Sequence, residues 1–426
     1  MASIKDLGKG KYRVFICNGF KANGKVNRIS KVITAKSIKD AEKQAKALEV
    51  DFTRGHQVQL AHAPTFNDLV EKWREIKKPD MEYKTQERYE GFLNGFMLPY
   101  FGNKKVSSIK ALDIEAYLNA LKKDGVRLDG KKGGYSEKTI RHHFMFIQTL
   151  FNLAVKWDMV EYNPCVKVDT PKVHKHEAKY YEDEDIGRLL RCLNDEFIKT
   201  INDAGGMEDS FSFENLTSRQ CTDIFNAYMR KTYIMVALAS ACRRGELIGL
   251  KVENIDSTNN RIIINQTGHY TVENGLYFVD YLKNGSPSKN IDMPITVMEQ
   301  IKEYIQARKS VIDLMDWEDS GYLFISLKTG KVTTAGGPMM PDVISQWFTK
   351  FLERNNLPKI TLHEVRHTSI SYLINKGVDV KMVADRAGHQ NTRTTEEVYS
   401  HIYAKTRRAT ADIYNDLFTG KEIKGE

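Results

Sequence analysis

The chain lacks the features that mark membrane-spanning and secreted proteins. Its longest run without Asp, Glu, Lys or Arg covers residues 142–155, and the apolar run from Tyr233 to Cys242 is shorter still; both fall well short of the roughly 20 residues that a membrane-spanning helix needs. The N-terminal segment carries charges where a signal peptide has its apolar stretch. The five cysteines are odd in number and form no Cys-x-x-Cys pair, which indicates reduced thiols. These absences predict a cytoplasmic protein without a membrane segment.

The composition and the length predict a soluble chain of several domains. Its 426 residues exceed the size of one ordinary domain, and 41% apolar with 28% charged residues is a usual globular balance. The net charge is +9, and residues 1–63 alone hold 13 Lys/Arg against 5 Asp/Glu. A small basic module favours a polyanion, most often nucleic acid. The alternative is a well-solvated basic surface.

The periodicity of apolar residues divides the chain into three regions. Residues 10–53 show two alternating segments around the turn at residues 22–24 and then a helical pattern, which predicts a small sheet with one helix. Helical patterns extend from Thr65 to Asp169, with Ser136 as an N-cap. The proline-containing, charged stretch 163–179 indicates an exposed linker. In the third region, residues 196–226 are polar and weakly periodic, which indicates an insertion or a mobile loop.

A capping signal near the C-terminus predicts a seat for a phosphate. Thr361 is followed three residues later by Glu364, a capping box that fixes the start of a helix. His363 and Arg366 then lie in its first turns, three residues apart on one face. Free backbone N–H groups and the positive end of the helix dipole also favour an anion there.

Two further cations are candidates for the same chemistry. Arg243 and Glu246 open a turn after an apolar helix that ends near Ala241, where packing would hold the guanidinium and Glu246 would brace it; a surface ion pair is the alternative. A predicted hairpin pairs residues 277–283 with residues 289–295 and leaves Lys283 at the strand end, where it can supply a proton. The alternative is a solvated hairpin charge.

The nucleophile must come from another segment. A helical pattern stops at Gly388, His389 follows, and a short helix beginning near Thr394 carries Tyr399. Splitting a phosphodiester without a metal needs a nucleophile, cations for the non-bridging oxygens and an acid for the leaving oxygen. Most tyrosines are packing residues, so the chemistry of one phenol does not by itself select Tyr399.

These motifs, in this order and spacing, resemble the tyrosine recombinase family, which includes the phage lambda-type integrases. The similarity extends upstream: residues 64–169 resemble the family's SAM-like helical core-binding domain, and residues 1–63 the arm-site-binding domain of integrases from phages and conjugative transposons. The resemblance implies a mainly α, multi-domain α+β chain. It would have an N-terminal three-stranded sheet with a helix, a helical middle domain, and a mostly helical catalytic domain with a β-hairpin over residues 175–426.

The resemblance also implies a role for each motif residue. Tyr399 would attack the scissile phosphorus and form a 3′-phosphotyrosine. Arg243 and Arg366 would clamp the phosphate, and Lys283 would protonate the 5′-oxygen. His363 would handle the proton of the tyrosine. His389 would donate a hydrogen bond to the phosphate, and Glu246 would brace Arg243. The reaction would need no cofactor, metal or ATP.

The expected activity is integration and excision of a prophage or mobile element. The implied partners are double-stranded DNA with core and arm attachment sites, three further copies of the chain in a homotetramer on synapsed DNA, and a DNA-bending accessory protein or excisionase. One departure concerns the acid: the interval from Lys283 to Pro294 is longer than the family pattern, and Lys289 competes for that role.

Three other interpretations stay open at the level of the sequence. His363, Glu364 and His367 satisfy the H-E-x-x-H pattern of zinc proteases, although Ile370 and Leu373 stand where the extended pattern has Gly and His. A DNA-binding regulator without catalysis would explain the basic N-terminal region and the helical middle region equally well. A type IB topoisomerase would share the chemistry, and only the two DNA-binding modules argue against it.

Overall fold

The protein is described from a computed structural model, which covers residues 3–8, 10–20, 26–53, 63–174, 179–206, 213, 216–280 and 288–389. Its contacts divide the chain into two compact units. The first comprises Met1–Met81 and Arg88–Val173, and the second Glu82–Glu87 and His174–Glu426. Among the described residues, every helix is too short or too polar to cross a lipid bilayer. The mainly α, α+β fold class that the sequence predicts is confirmed, whereas the division into three domains stays a prediction.

The first unit begins with a sheet and continues with helices. The three strands are antiparallel in the order β1-β2-β3, and Val14 and Ile16 of the central strand are buried against Ala45 of α1. The sheet and helix that alternation predicts are therefore confirmed. The bounds of the elements, of which α3 lies partly in each unit, are β1 Ser3–Asp6, β2 Lys11–Phe20, β3 Val26–Thr34, α1 Ile38–Thr53, α2 Phe66–Ile76, α3 Tyr83–Phe92, α4 Leu98–Phe101, α5 Ala111–Ala120 and α6 Glu137–Lys156.

Aromatic packing forms the core of the helical part. Trp73 of α2 is fully buried, and its ring meets Phe146 of α6 edge-on at 5.2 Å. Ser136 caps α6 through its hydroxyl, as predicted. The prediction of an exposed linker is wrong at its beginning, because Pro164–Lys167 is a short 3-10 helix and Cys165 is buried in this core. Pro164 and Cys165 pack despite the surrounding charges, whereas Val166 is exposed.

The second unit surrounds the long helix α8. This helix packs against α7, α10 and α12, and the buried Tyr233 meets Phe324 edge-on at 4.9 Å. The bounds are α7 Asp183–Asp203, α8 Ser218–Ser240, α9 Arg244–Ile248, β4 Ile255–Asp256, β5 Arg261–Ile264, β6 Thr267–Thr271, β7 Gly275–Val279, β8 Lys289–Asp292, α10 Ile295–Met315, α11 Pro341–Arg354, α12 Leu362–Asn375 and α13 Val380–Ala387.

Two predictions about this unit are wrong. The predicted hairpin does not form: β7 pairs with β6, and β8 pairs with β5 at the edge of a separate three-stranded sheet. Both β7 and β8 thus pair with strands that precede residues 272–274 in the sequence, and they do not pair with each other across residues 280–288. The predicted insertion over 196–226 is also too long, since α7 continues to Asp203 and α8 begins at Ser218 with Thr217 as its N-cap.

A seam of glycines seats α9 on β6, and this contact fixes the start of α9. A Cβ atom on Gly245 would lie 2.7 Å from the carbonyl oxygen of Gly268, and one on Gly249 would lie 2.8 Å from the carbonyl oxygen of Gln266. A Cβ on Gly268 would meet Ile248 at 2.9 Å. Backbone therefore touches backbone, which only glycine permits at such distances. Arg243, the N-cap of α9, is positioned by this seam.

We expect Gly245→Ala to lower the free energy of unfolding of the second unit by about 1–3 kcal/mol, because α9 and β6 must separate to admit the methyl group. The control is Gly187→Ala on α7, whose nearest neighbour is the flexible tip of Arg191 at 3.5 Å. That change should stabilise the chain by up to about 1 kcal/mol through helix propensity. Urea unfolding of both variants measures the free energies. Equal changes in the two variants would contradict the requirement for glycine where α9 contacts β6.

Candidate active site

The start of α12 is fixed by the predicted capping box, which is confirmed. The Glu364 N–H donates to the Thr361 hydroxyl at 3.3 Å, and the Thr361 N–H donates to the Glu364 carboxylate at 2.6 Å. The helix thus begins at Leu362. His363 is exposed in its first turn, whereas Arg366, one turn later, is 3% exposed. A guanidinium buried to this extent must be matched by acceptors.

The first acceptor of Arg366 lies at the end of α8. Nη1 of Arg366 donates to the carbonyl oxygen of Ala241. Ala241 ends the helix in the left-handed region, with φ 54° and ψ 24°, a conformation that costs an alanine about 1 kcal/mol. This residue turns the chain so that Cys242 and Arg243 follow directly into α9. The α8 end predicted near Ala241 is confirmed.

Arg243 is held by Glu246, its neighbour one turn along α9. The backbone N–H of Arg243 donates to Oε2 of Glu246 at 2.9 Å, and Nη1 donates to Oε1 at 2.7 Å. The carboxylate is 1% exposed, and the Arg243 side chain is 28% exposed. Glu246 therefore caps the helix and braces the guanidinium with the same side chain.

The end of α13 brings the two arginines together. Nη2 of Arg366 donates to the carbonyl oxygen of Ala387 at 2.6 Å, and Nη2 of Arg243 donates to that of Gly388 at 3.3 Å. These carbonyls are consecutive, at the point where Gly388 ends the helix with φ 67°. Two guanidinium groups that are remote in sequence thus reach one turn of backbone.

A third arginine, which the sequence did not single out, fastens α13 in place. Nη2 of Arg386 donates to the carbonyl oxygens of Ala239 at 2.6 Å and Asp292 at 2.9 Å. It therefore joins α13 to the end of α8 and to β8. The available signal was weak: an arginine in the last turn of a helix usually complements the helix dipole in solvent.

Lys289 also lies in the cluster, although the sequence named it only as a competitor of Lys283. Its side chain is 11% exposed, and Nζ lies 3.7 Å from Oε2 of Glu246. Burial raises the pKa of the Glu246 carboxyl, but Lys289 and then Arg243 outweigh it and hold that pKa below its ordinary value. Lys283 and Tyr399 lie outside the described residues.

Two histidines, His367 and His389, are neutral at pH 7. Burial, followed by the neighbouring Arg366 and Arg243, lowers the pKa of His389 to about 4. Burial, followed by His363, lowers the pKa of His367 to about 4. Both rings therefore act as hydrogen-bonding groups and add no positive charge.

In the H-E-x-x-H pattern, Glu364 caps α12 and the two histidines are neighbours on that helix. The rings of His363 and His367 meet edge-on, with centroids 4.7 Å apart. In the part of the chain that the structure describes, no group of three His, Cys, Asp or Glu side chains is arranged to hold a metal ion.

The charge of the cluster is suited to an anion. The cluster holds three cationic side chains, Arg243, Arg366 and Lys289, and one buried carboxylate, Glu246, which pairs with Arg243 and Lys289. His389 is neutral and adds no charge. Fixed donors in a water-poor site stabilise charge that builds on oxygen, which phosphoryl transfer requires. The fold and the cluster thus define a mainly helical domain with a cationic site suited to a phosphate group.

Comparison with known families identifies the class further. Residues 214–406 match the phage integrase family, and residues 65–122 match the N-terminal SAM-like domain of phage integrases. The two matches together span more than half of the chain. The chain belongs to the phage integrase family and is a site-specific tyrosine recombinase, an enzyme that cleaves and rejoins DNA strands.

Relatives match nearly the full length of the chain. A XerC-like tyrosine recombinase of Caldanaerobacter subterraneus subsp. tengcongensis is 26% identical over 96% of this chain and 97% of its own. A probable integrase of prophage ps2 from Lactococcus lactis subsp. lactis is 24% identical, over 97% and 99% respectively. The solved Tn1549 transposon integrase is 18% identical, with a TM-score of 0.59, over 82% of this chain and 100% of that one. This last likeness shows the fold.

We expect the neutral histidines to make stability fall at acid pH. The unfolded chain takes up a proton on His367 near pH 6.5, whereas the folded state does so only near pH 4. Stability is therefore lost as the pH falls from 6.5 towards 4. In His367→Asn the loss between pH 7.5 and 5 should be smaller by about 1 kcal/mol, allowing for partial exposure of the ring. Thermal unfolding across this range gives the slopes. Equal slopes would contradict the assignment, and the slopes above pH 7.5 should coincide.

Proposed function

We propose that Tyr399 is the nucleophile that cleaves DNA at a phosphate bound by Arg243 and Arg366. The observation that carries this proposal is the meeting of both guanidinium groups at the consecutive carbonyls of Ala387 and Gly388. Tyr399 follows Gly388 by eleven residues. A nucleophile close in sequence to the point where two phosphate-binding groups converge is suited to in-line attack.

The proposed reaction conserves the phosphoester bond. The oxygen of Tyr399 attacks phosphorus, the bond from phosphorus to the 5′-oxygen breaks, and a 3′-phosphotyrosine forms with a free 5′-hydroxyl. His363 accepts the phenol proton, and Lys283 protonates the departing 5′-oxygen. The 5′-hydroxyl of a second duplex then attacks the phosphotyrosine by the same steps in reverse. Integration and excision follow when this exchange occurs on both strands.

The supporting groups have matching chemistry. His389 is neutral, so it donates one hydrogen bond to a non-bridging oxygen without adding charge. Glu246 acts as a positioning residue, because its carboxylate fixes Arg243. The exposed His363 at the start of α12 stands where a ligand can reach it. Charge on the phosphorus oxygens therefore meets fixed donors.

We propose double-stranded DNA with core and arm sites as the partner, bound by three domains. Residues 1–63, with their surplus of eight positive charges, would bind arm sites, and residues 64–169 and 175–426 would bind the core site. The Tn1549 integrase is described in complex with transposon right-end DNA, and a lambda integrase dimer is described bound to a core site. A homotetramer on synapsed DNA and a DNA-bending accessory protein or excisionase complete the proposal.

Replacing Tyr399 by Phe tests the nucleophile. We expect the variant to bind a core-site duplex like the wild type but to form no covalent adduct, since only the attacking oxygen is removed. The control is Tyr372→Phe, which changes a half-exposed phenol on α12 and should retain the adduct. The measurement is trapping on a suicide duplex, followed by denaturing electrophoresis.

An adduct that persists in Tyr399→Phe would overturn the assignment of the nucleophile. Strand exchange between two duplexes by the wild type separates a recombinase from a topoisomerase, which only relaxes supercoils. A regulator without catalysis would keep all its activity in this variant.

Replacing Arg243 by Lys tests the phosphate clamp. Lysine keeps the positive charge but has no planar guanidinium group, so it cannot donate to Glu246 and to the phosphate at the same time. We expect the rate of adduct formation to fall about 100-fold with little change in duplex binding. The matched control is Arg244→Lys at the next position, whose guanidinium instead contacts Ser345 and Asp342 on α11. A similar fall in the rate of adduct formation in both variants would contradict the assignment of Arg243 to the phosphate.

A further inference from the structure

Lys289 is an unusual side chain because it is buried without a hydrogen bond. It opens β8, in register with Ile264 of β5, and it is 11% exposed. Within the described residues, no acceptor lies within hydrogen-bonding distance of its Nζ atom. Buried polar groups in native proteins are almost always hydrogen-bonded, and an ammonium group has three donors to satisfy.

The nearby carboxylate does not fill this gap. Oε2 of Glu246 is 3.7 Å from Nζ, which is close enough for an ion pair but too far for a hydrogen bond. Both oxygens of Glu246 are already engaged by Arg243, one by its backbone N–H and one by its side chain. Lys289 is therefore compensated in charge but lacks an acceptor.

The ammonium group lies beside the guanidinium that is assigned to the phosphate. A Cβ atom built on Gly388 would lie 3.6 Å from Nζ of Lys289 and 3.8 Å from Nη1 of Arg243. The two cations thus flank the same point at the end of α13, where Gly388 leaves the space open. A side chain at this position would occupy that space.

The charge balance also calls for a further negative group. Arg386 is held by the carbonyls of Ala239 and Asp292. The other three cations, Arg243, Arg366 and Lys289, set against the carboxylate of Glu246, leave a surplus of two positive charges. A phosphodiester carries one negative charge, and its pentacoordinate transition state carries two on its non-bridging oxygens. The charge of Lys289 therefore matches the negative charge that develops on the phosphate oxygens in the transition state. Stabilising that charge accelerates the reaction.

We propose that Lys289 is an additional catalytic residue, which donates a hydrogen bond to a non-bridging oxygen of the scissile phosphate next to Arg243. This inference rests on the proposed function and leaves the protonation of the 5′-oxygen to Lys283. Lys289 neutralises charge in the transition state and transfers no proton. Its missing acceptor is the phosphate oxygen itself.

Three suicide duplexes separate this role from that of an acid. The first has the natural phosphodiester. The second has a methylphosphonate at the scissile position, which removes the negative charge. The third has a 5′-sulfur leaving group, which needs no acid because a thiol is far more acidic than an alcohol. The variants are Lys289→Met, Lys283→Met and, as a control, Lys309→Met, an exposed lysine on α10.

On the natural duplex, Lys289→Met should form the adduct about 100-fold more slowly than the wild type. On the neutral methylphosphonate the defect should shrink to less than about 10-fold, and on the sulfur duplex it should persist. Lys283→Met should show the converse pattern, with rescue by sulfur alone. Lys309→Met should match the wild type on all three duplexes.

Rescue of Lys289→Met by sulfur would overturn the proposal, because Lys289 would then be the acid. So would an equal defect on all three duplexes, which marks a structural role, or the absence of any defect. Lys289→Gln, compared in the same way, guards against a fold that does not tolerate Met. Failure of the wild type to form any adduct would overturn the proposed function instead.

Discussion

The buried carboxylate of Glu246 is the interaction on which the rest of the site depends. It is the acceptor that stops α9 from fraying at Arg243, and it offsets the positive charge of Arg243 and Lys289 in a region with little water. Without it, two cations would repel each other across a short distance with no compensating anion. Its own ionisation depends in turn on those cations, which outweigh the effect of burial on its pKa. Glu246, Arg243 and Lys289 therefore form one electrostatic unit.

The carbonyls at the end of α13 give this unit its geometry. Helix C-termini leave carbonyl oxygens without intrahelical donors, and here two of them accept from Arg366 and Arg243. The guanidinium groups are thus oriented in the absence of a ligand, which lowers the reorganisation that the proposed binding of a phosphate would require. Ala241, at the end of α8, also orients Arg366, because its strained left-handed conformation directs its carbonyl oxygen at that guanidinium group.

Local signals in the sequence predicted the parts of the site that depend on a few neighbouring residues. The capping box at Thr361 and the glycine stop at Gly388 need only side chains within one helical turn. The strand pairing failed because it depends on contacts distant in sequence: β8 chose β5, and β7 chose β6. Nothing near Lys289 in the sequence shows that this choice buries its ammonium group beside Glu246.

The neutral state of His389 limits the positive charge of the site. In a site with three cations, a protonated imidazole would add repulsion, and burial with the nearby arginines lowers the pKa of His389 instead. His389 therefore adds no positive charge to that of Arg243, Arg366 and Lys289 over the pH range in which histidines in solvent titrate. Hydrogen bonding by a neutral His389 can therefore orient a ligand without adding charge to the cluster.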